Sequence, residues 1–241
     1  MTLAIISDVH GNHEALCRVL DDIDDRGIDD IFCLGDCIGY GPDPEEVIEA
    51  VRARNIPALL GNHELAARDR ASLSWFNPRA RLSLEITVAM LSLASLNYIQ
   101  KLPSSVTRDD VRFVHGFPPD SVHTYLFQKS DFELTATFNQ MAERICFVGH
   151  THDLEIIEFT GRRIKRWPLV PGSSLLNPEY RYIINVGSVG QPRDGSNKAK
   201  YVLWDKDDNR IEVRAIPYDI DTVVSKIKAR GLPEEHAERL R

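Results

Sequence analysis

Five short apolar segments of the chain each end in aspartate, asparagine or histidine. The first, Leu3 to Ile6, is followed by Asp8-Val9-His10. In an extended strand, residues two apart point to the same side, so this carboxylate and this imidazole would emerge together. The later segments end in Asp36, in Asn62-His63, in His115 and in His150-Thr151-His152. Carboxylate, amide and imidazole groups are ligands of divalent metals, so the pattern indicates metal chemistry.

The number and type of these residues indicate which ions they would bind. They comprise two aspartates, one asparagine and five histidines, with no cysteine among them. This mixture favours Mn, Fe, Zn or Ni over calcium. One tetrahedral site cannot use so many ligands, whereas a bridging carboxylate would hold two ions about 3.5–4 Å apart. Cys33 and Cys37 have the spacing of a metal clip, but no second cysteine pair follows them.

Strands and helices must alternate to bring these residues together. A helix with an apolar stripe from Leu16 to Ile23 follows the first strand, and residues 31–34 and 56–60 are predicted as the next two strands. Asp43 and Glu46 have the spacing of a helix N-cap and its capping-box glutamate. Such alternation predicts parallel strands with right-handed crossovers. Ligands gather beyond the carboxyl ends of parallel strands, which is where the polar residues fall.

Residues 64–110 have a mainly helical pattern. A helix start at Asn77-Pro78 precedes an apolar stripe with alternating spacings of four and three. The stripe consists of Leu82, Ile86, Ala89, Leu93 and Leu96. It predicts one long helix or two broken ones, packed in the core or against another subunit rather than on a cofactor.

The second half of the chain is rich in predicted strands. These are residues 154–159, 162–167, 182–186, 201–204 and 211–215, and a helix over 221–230 and a charged tail follow. Short turns between them indicate an antiparallel sheet packed on the first sheet. The expected fold is therefore α/β (α+β): a four-layer α-β-β-α sandwich with two mixed central sheets flanked by helices.

Length and composition indicate one globular domain over residues 1–241. Hydrophobic residues make up 43% and charged residues 27% of the chain, which excludes a disordered or fibrous protein. The net charge of −7 makes nucleic acid an unlikely partner. No apolar run approaches the roughly 18 residues of a membrane span, and no signal segment is evident, so a cytoplasmic location without membrane association is expected. The four cysteines are too sparse for a disulfide framework.

The sequence resembles the calcineurin-like metallophosphoesterases, in particular their small bacterial and archaeal members. The matching motifs, in the family's order, are Asp8-Val9-His10-Gly11, Gly35-Asp36, Gly61-Asn62-His63-Glu64, His115-Gly116 and Gly149-His150-Thr151-His152. A further similar segment spans residues 185–193. Each motif alone is weak, but an ordered set is specific.

The resemblance implies a role for each of these residues. It implies that Asp8, His10 and His152 hold one metal ion, that Asn62, His115 and His150 hold another, and that Asp36 bridges them. It implies that His63 is not a ligand but the catalytic histidine, which donates a proton to the leaving group. Glu64 is interpreted as a first-turn helix residue.

Departures from the family concern the substrate pocket. The serine/threonine phosphatase branch has an aspartate and an arginine where this chain has Gly39 and Tyr40. The support of the catalytic histidine and the phosphate clamp of that branch are therefore missing, which argues against a protein phosphatase. Asn12, Tyr40 and Arg193 are candidate substrate contacts, as is the loop of residues 117–128.

The sequence thus predicts a dinuclear metal-dependent hydrolase of phosphomonoesters or phosphodiesters. The expected reaction is direct attack by a metal-bound hydroxide with a histidine as general acid. The expected partner is a small phosphoester substrate, and a homo-oligomer is compatible with the sequence. The alternatives are a non-catalytic scaffold of the same fold, a protein phosphatase or a nuclease.

Overall fold

The computed structural model describes residues 1–241, which form eleven β-strands and eight α-helices. The strands are β1 (Thr2–Ile6), β2 (Ile31–Cys33), β3 (Ser105–Arg108), β4 (Val111–Val114), β5 (Ile145–Val148), β6 (Leu154–Phe159), β7 (Ile164–Pro168), β8 (Gly172–Leu175), β9 (Arg181–Val186), β10 (Ala199–Asp205) and β11 (Arg210–Ile216). The helices are α1 (His13–Asp25), α2 (Pro44–Ala53), α3 (Asn62–Arg68), α4 (Pro78–Val88), α5 (Leu93–Ile99), α6 (Asp131–Gln140), α7 (Ile220–Ala229) and α8 (Glu234–Glu238). None of these helices has the length and hydropathy needed to span a membrane.

Two mixed sheets form the centre of the molecule. One has the strand order β2-β1-β10-β11-β8, and the other has the order β3-β4-β5-β9-β6-β7. Strand β1 runs parallel to β2, and β4, β5 and β9 run parallel to one another, while the remaining pairs are antiparallel. The expected four-layer sandwich with flanking helices is confirmed.

Alternation along the strands builds the core. Leu3 and Ile5 of β1 lie in the apolar layer between the two sheets, whereas Ala4 and Ile6 face the helices that cover the outer side. This follows from the two-residue period of a strand with both faces buried. Helix α6 covers the outer face of the second sheet.

The sequence had indicated one sheet from each half of the chain, but the observed sheets do not divide the chain in this way. Strands β10 and β11 from the second half join β1 and β2, and β9 lies beside β5 from the first half. Each sheet therefore contains strands from both halves, and the loops after β1 and β5 meet at the same side of the molecule.

Residues 56–60, predicted as a strand, form only one bridge, between Ala58 and Cys33. Pro57 lacks an amide hydrogen and can only accept a bond, from the amide of Cys33. The segment still runs beside β2 and delivers Asn62 and His63 to the same edge.

The helical pattern over 64–110 is only partly confirmed. Helices α3, α4 and α5 and a 3₁₀ turn at Arg70–Trp75 account for it up to Ile99, and strand β3 follows. The two-helix alternative is the one observed. The predicted stripe is wrong in phase, because Leu82 and Leu93 are exposed while Ser83, Leu84 and Thr87 are buried.

Three local predictions also need correction. Asp43 is the N-cap residue of α2, but it makes no cap bond, because its carboxylate accepts from Lys226 of α7 instead (2.8 Å). The charged tail contains α8, and Ala237 of this helix and the following Leu240 pack against α7. Strands β3 and β8 were not foreseen, because their residues are polar and largely exposed.

Candidate metal centre

The polar residues that follow the strands converge on one buried site. Three overlapping groups of acidic and imidazole side chains have ligand atoms within 4.8 Å of one another. They are Asp8 with His10 and His152, then His10 with Asp36 and His63, and finally Asp36 with His115 and His150. The sulfur atoms of Cys33 and Cys37 lie 3.6 Å apart, but neither cysteine belongs to one of these groups.

The backbone bends sharply at these positions. Six non-glycine residues of the site have φ between 50° and 67°, namely Asp8, His10, Asp36, Tyr40, His150 and His152. Residues other than glycine rarely adopt this left-handed conformation, and it concentrates at functional sites. The turns aim successive side chains back over the strand ends.

Asp8 is held by its immediate neighbours. Its Oδ2 accepts from the hydroxyl of Ser7 (2.6 Å) and from the amide of His150 (3.0 Å). Its buried Oδ1 has no hydrogen-bond partner and lies 3.3 Å from Nε2 of His152. Burial alone would raise the pKa of Asp8, but the neighbouring imidazoles of His152 and His10 hold that pKa well below its usual range.

Three imidazoles are oriented by backbone carbonyls. Nδ1 of His10 donates to Ile38 (2.9 Å), and Nδ1 of His152 donates to Gln191 (2.6 Å). Nδ1 of His115 donates to Leu34 (3.0 Å). Each bond fixes the proton on Nδ1 and leaves the Nε2 lone pair for the site, which is the usual arrangement of metal-binding histidines.

The resulting lone pairs fit a cation. Nε2 of His10 and Nε2 of His152 are 3.0 Å apart, and both face the unpartnered Oδ1 of Asp8. Such closely spaced acceptors repel one another unless a positive charge lies between them. The donor set of carboxylate, amide and imidazole suits a first-row divalent ion.

Asp36 lies between the two ends of the site. Its Oδ1 accepts from the amide of His63 (2.9 Å), and its Oδ2 is 3.7 Å from His10 Nε2 and 3.2 Å from His115 Nε2. A single carboxylate oxygen therefore faces ligands of both predicted ions, as a bridging group must.

The second end of the site contains Asn62, His115 and His150. The side-chain oxygen of Asn62 is 3.2 Å from Nε2 of His115, and the buried Nε2 of His150 has no partner. Burial, with the charge of His115, lowers the pKa of His150 to about 3. Burial also opposes protonation of His115, yet Asp36 raises its pKa to about 9. Metal binding would favour the neutral form of both imidazoles, in which the Nε2 lone pairs are free.

His63 lies beside this site, with Nε2 facing Asp36 and Nδ1 facing Gly39. Its Nε2 is 4.0 Å from Oδ2 of Asp36, while its buried Nδ1 has no partner. A Cβ atom at Gly39 would lie only 2.1 Å from that Nδ1. The ring packs edge to face on Tyr40 and Phe76, and burial lowers its pKa well below the usual value.

Glu64 has a role that the sequence did not reveal. Its fully buried carboxylate accepts from the amides of Asp36, Cys37 and Ile38 (2.7–3.2 Å) and from that of Gly61. Burial and the charge of Asp36 raise its pKa to about 7. Glu64 therefore ties the Asp36 turn to the start of α3. Its position at the third residue of a helix was the only sequence signal.

Of the candidate substrate contacts, Tyr40 and Arg193 lie at the cavity beside the site, whereas Asn12 does not. Tyr40 packs on His10 and lines the cavity beside the site, and Arg193 is exposed at the rim. Asn12 is buried in the scaffold, where Oδ1 caps α1 and the amide donates to Gly190. Within the predicted substrate loop, Tyr125 stacks on His150 at a centroid distance of 4.0 Å.

The site opens through a small cavity of about 110 Å³ that is lined by aromatic residues. Asn62 and His150 lie at its base, and Trp75, Phe76 and Tyr125 line its walls. A larger cleft of about 1050 Å³ borders β7 and β8 and contains none of the candidate ligands.

Comparison with known families agrees with this geometry. Residues 1–209 match the calcineurin-like phosphoesterase superfamily domain. The chain belongs to that superfamily. A relative, an uncharacterised protein of Methanocaldococcus jannaschii, is 38% identical over 99% of this chain and 96% of its own length. The crystal structure of a metallophosphoesterase from Sphaerobacter thermophilus has a TM-score of 0.84 and 36% identity, covering 100% of this chain and 98% of that one.

A shorter match concerns a relative with a named substrate. The symmetrical bis(5'-nucleosyl)-tetraphosphatase of Delftia acidovorans is 37% identical over 68 residues, which are 27% of this chain and 24% of that protein. The family match over residues 1–209 confirms the resemblance of the sequence to the calcineurin-like family.

Proposed function

We propose that this chain is a dinuclear metal-dependent phosphoester hydrolase. The observation that carries the proposal is the position of Asp36, whose Oδ2 faces His10 on one side and His115 on the other. Two groups of ligands that share one carboxylate suit two ions.

Seven residues would hold the ions. Asp8, His10 and His152 would hold one, Asn62, His115 and His150 the other, and Asp36 both. When bound, Mn, Fe, Zn or Ni ions supply Lewis-acid activation of water and neutralise charge on the phosphoryl oxygens.

The chain's own side chains orient the reaction. Main-chain carbonyls fix the rings of His10, His115 and His152, so the Nε2 atoms that would bind metal are preorganised. His63 presents Nε2 to the same side and is the proposed proton donor to the leaving oxygen. Burial keeps its pKa low in the free protein, and an anionic ester beside the ring opposes that effect because it favours the imidazolium.

The proposed substrates are phosphomonoesters or phosphodiesters that enter the aromatic-lined cavity. A protein-phosphatase mechanism with an aspartate supporting His63 is disfavoured, because Gly39 leaves no room for a side chain there. The named Delftia relative makes dinucleoside tetraphosphates worth including among the substrates tested.

The test is hydrolysis by metal-loaded protein, with His63→Ala as the decisive variant. With Mn, Fe, Zn or Ni added, the chain should hydrolyse nitrophenyl phosphate, bis(nitrophenyl) phosphate or a dinucleoside tetraphosphate. Metal analysis of the loaded protein should find two ions per chain. His63→Ala should lose roughly 10²–10⁴-fold in rate on phenyl phosphate but far less on nitrophenyl phosphate, whose leaving group needs little protonation.

His13→Ala is the matched control, because His13 lies on α1 outside the ligand groups. It should hydrolyse both esters at the wild-type rate. Equal losses on the two esters in His63→Ala would remove the general-acid role. Hydrolysis with one ion or none bound would overturn the dinuclear mechanism.

A further inference from the structure

A groove of about 500 Å³ adjoins the metal centre on the side of α8. It shares Tyr40 and Tyr125 with the small cavity that reaches Asn62 and His150. A substrate whose phosphorus lies at the metal centre can therefore extend into this groove.

The groove is lined by arginines from separate parts of the chain. Arg193 follows β9, and Arg239 ends α8. Neither guanidinium has a carboxylate within 4.0 Å, whereas Arg79 at the rim pairs with Glu235 at 3.0 Å. That pair leaves the groove with two uncompensated positive charges, although the whole chain carries −7.

The position of Arg239 is set by packed structure. Ala237 and Leu240 of the same segment are buried against α7, and His236 packs on the ring of Tyr40 at 4.8 Å. Arg193 is attached to the site itself, since its amide donates to the carbonyl of His152 (3.3 Å). The backbones of both arginines thus have fixed positions relative to the candidate ligands, and their exposed side chains extend from there into the groove.

We propose that Arg193 and Arg239 form a subsite for a second anionic group of the substrate, such as a further phosphate. Guanidinium groups bind phosphate oxygens through paired hydrogen bonds, which makes them suited to this ligand. The proposal rests on the proposed function, because the first phosphate is placed at the metal centre. Arg239 lies beyond residues 1–209, so part of the substrate site is contributed by a segment that the family match does not include.

Calorimetric binding to the metal-loaded protein tests the subsite without turnover. The probes are methylphosphonate, with one anionic group, and methylenediphosphonate, with two. Loss of one charge-assisted hydrogen bond costs about 1.5–3 kcal/mol, which is at least about tenfold in affinity. Arg193→Ala and Arg239→Ala should each lower the ratio of diphosphonate to methylphosphonate affinity about tenfold.

Arg162→Ala is the matched control. Arg162 lies in the exposed turn between β6 and β7 and forms no ion pair. Its substitution by alanine removes the same charge as each of the two test variants. Its affinity ratio should equal that of the wild type. Because the metal is the same in every protein, chelation by the diphosphonate cancels in the comparison.

The outcomes separate this proposal from the function on which it rests. A ratio that is unchanged in either arginine variant, or that falls equally in Arg162→Ala, overturns the subsite even if hydrolysis is intact. A ratio that falls in both variants supports it, even if the loaded protein hydrolyses none of the test esters and the proposed reaction is abandoned.

Discussion

The ring of His63 occupies the space in which a side chain at Gly39 would lie. Gly39 has φ of 85°, and a Cβ there would stand 2.1 Å from Nδ1 of His63. The sequence showed that the aspartate of the phosphatase branch is missing at this position. It could not show why, because the reason is the path of a ring from another segment of the chain.

Substitution of Gly39 by alanine should therefore destabilise the protein through a collision with His63. A left-handed alanine costs about 1–2 kcal/mol, and overpacking adds typically about 1–3 kcal/mol. We expect Gly39→Ala to lower the free energy of unfolding in urea by about 2–5 kcal/mol.

Gly161→Ala provides the matched control, because Gly161 has the same φ of 85° but no atom within 4 Å of its added Cβ. It should lose only the conformational part. Equal losses in the two variants would show that His63 yields without cost.

At the scale of elements, apolar strands were predictable and polar ones were not. Strands β1, β5 and β9 have the continuous apolar runs of strands buried on both faces. Strand β8, with the sequence Gly-Ser-Ser-Leu, is fully exposed and owes its existence to pairing with β11. Helix α8 was missed for a similar reason, since its five residues are too few for a stable helix without packing on α7 and Tyr40.

The docking of α8 on the site should depend on pH. Burial, with His10 and Arg239, lowers the pKa of His236 from 6.5 to about 4. As pH falls from about 6.5 to 4, the unfolded chain binds a proton that folded His236 does not, so stability decreases. His236→Phe keeps a ring against Tyr40 and cannot titrate.

Urea unfolding at pH 7 and pH 5 measures this effect. On acidification, wild type should lose more free energy of unfolding than His236→Phe does. All other titrating groups are common to both proteins, so the difference isolates His236. Parallel losses in the two proteins would mean that His236 is protonated in the folded state.

At the scale of the whole molecule, the candidate metal centre contains residues that follow strands of both sheets. Asp8 follows a strand of one sheet, and His115 and His150 follow strands of the other. The identity and order of the candidate ligands were predictable, because polar residues follow apolar strands at each turn. The presence of strands from both halves in each sheet was not predictable, because strand pairing between distant segments leaves no local signal in the sequence.

Metal binding should therefore stabilise the entire fold. At a free metal concentration about 100-fold above Kd, the stabilisation is about 2.7 kcal/mol per site. We expect Mn to raise the melting temperature of the wild type and of His13→Ala, but much less that of Asp36→Asn. Calorimetric melting with and without metal measures it, and an equal rise in Asp36→Asn would place the ions elsewhere.

The position of β1 between β2 and β10 has a consequence for how the protein is made. Thr2 pairs with Asp205, and Ile5 pairs with Val202. A ribosome delivers Asp8 and His10 before β10, so the strand that precedes them gains its second neighbour only when β10 has emerged. These two candidate ligands are therefore synthesised well before the strand that completes the sheet around β1.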